Sequence, residues 1–77
     1  MKSEKELFKL AKDMVFIEDK LRVNVSELMR EELTLAAAEI RAELLKKGYD
    51  VDTFNYYKEI YPKMTVNEYY AFLDSLE

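Results

Sequence analysis

The chain has 77 residues, with 12 Lys and Arg against 16 Asp and Glu, and it contains neither cysteine nor histidine. That length fits one domain, residues 1–77, whose core leaves little margin of stability; the composition excludes disulfides, thiolate metal sites and the histidine ligands most common at transition metals. No apolar run approaches the length of a membrane-spanning helix, and the charged start Lys2-Ser3-Glu4-Lys5-Glu6 does not lead into a signal peptide, so a reducing cytoplasm is the expected setting.

Ser3-Glu4-Lys5-Glu6 reads as a capping box, in which the Ser3 hydroxyl and the Glu6 carboxylate satisfy each other's backbone donors. Leu7, Leu10, Met14, Ile17 and Leu21 follow at the spacing of an a/d seam, with Ala11 alongside and Phe8 and Val15 widening the stripe. The spacing predicts a helix over about 4–22. Phe16 falls on the opposite face, among Lys9, Lys12, Asp13 and Lys20. There it is a candidate contact for a second chain or for the C-terminal segment.

Arg22-Val23-Asn24-Val25 breaks the pattern and is too short for a strand. Asn24 or Ser26 can cap a second helix over about 26–47; Asn24 with Glu27 would make another capping box. Lys46 and Lys47 suit the negative end of its dipole, and Gly48 suits a left-handed cap. Its apolar surface is wide. Met29, Leu33, Ala37, Ile40 and Leu44 form one stripe; Leu28, Leu35, Ala42 and Leu45 form another. Ala36, Ala37 and Ala38 would let a neighbouring helix approach closely. Such a helix is either central to the fold or shared with a second subunit. With disulfides and cysteine- or histidine-bound metals excluded, a small domain gains support by oligomerising, so a homodimer is expected. The candidates for its seam are Met29, Leu33, Ala37, Ile40 and Leu44.

After Gly48, Asp50 or Asp52 can cap a short helix over about 53–60, which Tyr61-Pro62 ends. Thr65-Val66-Asn67-Glu68 is a further capping box and opens a last helix over about 66–76. Val66, Tyr69, Tyr70, Leu73 and Leu76 fall on one face of it. The fold class is therefore all-α, a small bundle of about four helices.

Eight of the ten aromatic residues lie between Tyr49 and Phe72. They can form a local core, a protein-binding surface or a stacking platform for single-stranded nucleic acid. The platform reading lacks a basic groove: residues 49–77 hold Lys58 and Lys63 against six acidic side chains. The candidate protein-binding residues are Tyr49, Tyr56, Tyr70 and Phe16. Phe54, Tyr57 and Tyr61, at helical spacing, form the expected inward stripe and leave Tyr56 outside it. No catalytic, cofactor-binding or metal-ligating set emerges. Glu27/Glu31 and Glu39/Glu43 read as solvated helix faces, and Asp50-Val51-Asp52 lacks the later ligands of a calcium loop. The chain is expected not to be an enzyme.

Val23-Asn24-Val25-Ser26-Glu27-Leu28, with the helix that follows to Lys47, resembles the start of the second helix of ribbon-helix-helix repressors, the plasmid-addiction antitoxins in particular. The resemblance covers about 25 residues. It implies a dimer built through the second helix. The family's leading strand, which enters the DNA major groove, has no counterpart here, because the chain opens with a capping box and a long helix. No DNA-reading residue is carried over. The function expected is that of a small acidic regulatory or adaptor protein, such as an antitoxin, an inhibitor or a phage-type modulator, that binds another protein through its aromatic C-terminal third. The alternative is a dimeric DNA-binding repressor.

Overall fold

The computed structural model describes residues 3–76. Four α-helices follow in order: α1 (Glu4–Arg22), α2 (Glu27–Lys47), α3 (Val51–Ile60) and α4 (Val66–Ser75). A 3-10 turn, Tyr61–Lys63, links α3 to α4, and Pro62 occupies its start. The described residues contain no strand.

The caps fix the boundaries. Ser26, not Asn24, caps α2 by accepting from the Met29 N–H. Asp50 caps α3, so that helix starts two residues before the expected Thr53. The Thr65/Glu68 box forms in full. The Ser3/Glu6 box forms only in half. The Ser3 hydroxyl accepts from the Glu6 N–H, while the Glu6 carboxylate accepts from Lys47 and Tyr49. The Tyr49 hydroxyl accepts from the Ser3 N–H at 2.9 Å. Gly48 closes α2 at φ 68°, with the Gly48 and Tyr49 N–H groups returning to the Leu45 and Leu44 carbonyls. An added Cβ there would meet nothing within 4 Å, so only the backbone would be strained. Gly48→Ala is expected to cost about 1–2 kcal/mol in chemical denaturation, the ordinary left-handed penalty. Unchanged stability would mean that the turn relaxes at no cost.

The central helix is α1, not α2. It has α2 on one side and α3, the 3-10 turn and the Phe8 contacts of α4 on the other. Leu7, Phe8, Ala11, Met14, Val15 and Ile17 are all buried, which spans about half of its circumference. α2 buries only Ala37, Ile40 and Leu44. These three candidates for the dimer seam sit in the chain's own core, and Leu33 packs at its edge. Met29 is the only one of the five left exposed. The reason is local: this stripe is the face that α1 covers. The second stripe, Leu28, Leu35, Ala42 and Leu45, stays outside.

The molecule is flat. Its extents are 39 × 30 × 16 Å. The short axis has room for no more than two helix layers. Its radius of gyration is 13.2 Å; a typical domain of this length has about 11.5 Å.

One polar cluster joins the start of α1 to the end of α2 and the turn that follows it. Lys47 Nζ lies 2.7 Å from the Glu6 carboxylate, and the Tyr49 hydroxyl donates to the same carboxylate. The Lys47 hydrogen bond first, then that of Tyr49, holds the Glu6 carboxyl below its ordinary range. Burial, then the bond to Glu6, pushes the Tyr49 phenol up. Between its folded and unfolded pKa values Glu6 binds fewer protons when folded. Its contribution is therefore complete above the ordinary glutamate value of about 4.3 and disappears as pH falls through the lowered value. Denaturation midpoints are expected to drop below about pH 4, and Glu6→Gln is expected to flatten that drop. An acid limb unchanged in the variant would remove Glu6 from the account.

Candidate functional site

The aromatic third divides into core and surface. Phe8, completely buried, is the hub. Tyr57 meets it edge-on at 5.3 Å, Phe72 at 4.9 Å and Tyr61 at 6.2 Å, while Tyr69 stacks on it at 5.6 Å. The Tyr57 hydroxyl reaches Glu4 at 3.1 Å. Phe54 is buried beside Lys58, whose ammonium lies 5.7 Å from the ring and 2.8 Å from Glu18. Such edge-on pairs add about 0.5–1.5 kcal/mol each beyond their buried area. Most of the cluster is therefore structural.

Its outer edge also reaches the surface. Tyr61, Pro62, Met64, Val66, Tyr69, Tyr70 and Lys12 line a shallow depression of about 310 Å³. Tyr69 stands edge-on to Tyr61 at 5.6 Å and to Tyr70 at 5.1 Å. The Lys12 ammonium lies 5.2 Å from the Tyr69 ring centre and has no carboxylate partner among the described residues. Tyr70 is 58% exposed and Val66 72%. The result is a row of rings fixed from behind by Phe8, with two apolar side chains projecting and one unneutralised cation. It can take apolar or aromatic side chains and one carboxylate. Among the described residues no group of acidic side chains is placed to hold a metal ion. No helix there is long and apolar enough to cross a membrane.

Compared with protein-family models, with curated proteins and with solved structures, the chain matches none.

The four sequence-derived candidates do not come together. Tyr70 lies at the depression. Tyr56 is 56% exposed on α3, and its ring contact is with Tyr57. Phe16 is exposed on α1 beneath the Lys20 ammonium, at the rim of a groove between α1 and α2 that Leu10, Leu33 and Ala36 also line. It touches none of the C-terminal rings. Tyr49 is buried, and its hydroxyl is committed to Ser3 and Glu6. Contrary to the expectation from its sequence position, Tyr49 belongs to the core and presents no exposed ring to a partner. The left-handed turn at Gly48 directs its ring back onto α1.

Val66, Met64, Pro62 and Lys12 were not singled out as binding residues by their sequence pattern. For Val66 a signal was present. Including Phe72 with Tyr69, Leu73 and Leu76 rotates the inner stripe of α4, which leaves positions 66 and 70 on its outer flank. Nothing in the local sequence marks Lys12, because its ring partner is 57 residues away.

Proposed function

We propose that the chain is a small regulatory or adaptor protein that binds another protein through the surface around Tyr70. The observation that carries this reading is the exposure of Tyr70 and Val66 beside a Tyr61–Tyr69 pair held rigid by Phe8. Tyrosine supplies a large contact area at low entropic cost, and rigid backing lowers the cost of ordering the surface further. Lys12 suits an acidic group at the rim of the partner's contact. The rest of the C-terminal third is acidic, which opposes a polyanionic partner. The reading places this binding in the cytoplasm, where a chain without cysteine gives up no stabilising bond.

The test is affinity capture from the native host with wild type, Tyr70→Ala and a surface control, Asp52→Ala. A partner retained by wild type and the control should bind Tyr70→Ala about tenfold more weakly, a hot-spot loss of about 1–2 kcal/mol. Equal binding by all three, with helicity unchanged, would contradict the assignment.

A further inference from the structure

The outer face of α2 carries a second seam. Leu28, Leu35, Ala38, Ala42 and Leu45 recur at spacings of 7, 3, 4 and 3. That is an a/d pattern, interrupted only at Glu31. All five are exposed, and the leucines strongly so, at 67%, 65% and 81%. The stripe lies nearly opposite Ala37, Ile40 and Leu44, which face α1. α2 is thus apolar on two opposite sides and covered on one.

The charges beside this seam choose its occupant. Glu27 and Glu32 flank its N-terminal half, and Arg41 and Lys46 flank its C-terminal half, together with Glu39 near the middle. None of these has an ion-pair partner among the described residues. A second α2 laid antiparallel sets Glu27 and Glu32 of each copy against Arg41 and Lys46 of the other, whereas a parallel one sets Glu27 against Glu32 and Arg41 against Lys46. Ala38 and Ala42 near the centre allow the two backbones to approach closely.

We propose that two copies of the chain associate through the outer face of α2, antiparallel, with Leu28, Leu35 and Leu45 buried between them. This seam is distinct from the inner stripe, and the surface around Tyr70 is not used in it.

The experiment is sedimentation equilibrium of the full chain at tens of micromolar, with circular dichroism for helicity. Wild type should show twice the 9.2 kDa chain mass. Leu35→Glu should show the single mass with helicity intact. Arg41→Glu/Lys46→Glu and Glu27→Lys/Glu32→Lys should each self-associate about tenfold more weakly or worse. An equimolar mixture of these two variants should recover the double mass, because the four acidic flanking side chains of one then face the four basic ones of the other. Phe16→Glu, on the α1–α2 groove, should leave the dimer intact. A monomeric wild type would overturn the proposal. So would a dimer that survives Leu35→Glu, charge-reversed variants whose mixture stays apart, or a dimer that Phe16→Glu abolishes.

Discussion

Phe8→Ala is expected to cost about 3–5 kcal/mol, the range for removing a buried phenylalanine. That matches the whole margin of about 3–5 kcal/mol that one small core supplies, so the variant should be largely unfolded at room temperature. Phe8 is completely buried and touches Tyr57, Tyr61, Tyr69 and Phe72. Removing its ring takes away the main anchor of α4, which buries no residue fully and packs through Tyr69, Phe72 and Leu73. Far-ultraviolet circular dichroism under thermal melting reads the result. A cooperative transition within about 1 kcal/mol of wild type would mean that the rings repack without Phe8, and the hub would be misassigned.

The second large effect separates two adjacent tyrosines. Tyr57→Ala is expected to cost about 3–4 kcal/mol by urea denaturation, and Tyr56→Ala less than about 0.5 kcal/mol. Tyr57 is buried, edge-on to Phe8 at 5.3 Å and to Phe72 at 5.9 Å. Tyr56 points to solvent. Tyr57→Phe keeps the ring and removes only the bond to Glu4, so it should cost about 1 kcal/mol or less. Equal losses at 56 and 57 would place both rings in the core.

Much of the fold is legible in the sequence because helix ends are local. Ser3, Asp50 and Thr65 cap helices, and Gly48 adopts the left-handed conformation that its position suggests. The inward stripe of Phe54, Tyr57, Ile60 and Tyr61 follows from spacing alone. What escapes is which apolar face meets which neighbour. α2 has two stripes of similar strength, and spacing cannot say that α1 takes Ala37, Ile40 and Leu44 and leaves Leu35 outside. Glu6 looks like half of a capping box until Lys47 and Tyr49, more than forty residues away, arrive beside it. The same limit applies at the candidate site. Tyr70 is marked by composition, but Lys12 and Tyr61 join it only through tertiary packing.

The most direct measurement of the proposed role is site-specific photocrosslinking in the native host. A photoreactive phenylalanine analogue would replace Tyr70 in one variant and the exposed Asp52 on α3 in another. The account predicts a discrete adduct with a second protein from position 70, lost when Val66→Asp is added, and no such adduct from position 52. No adduct from position 70, or the same adduct from both positions, would contradict binding at the Tyr70 surface.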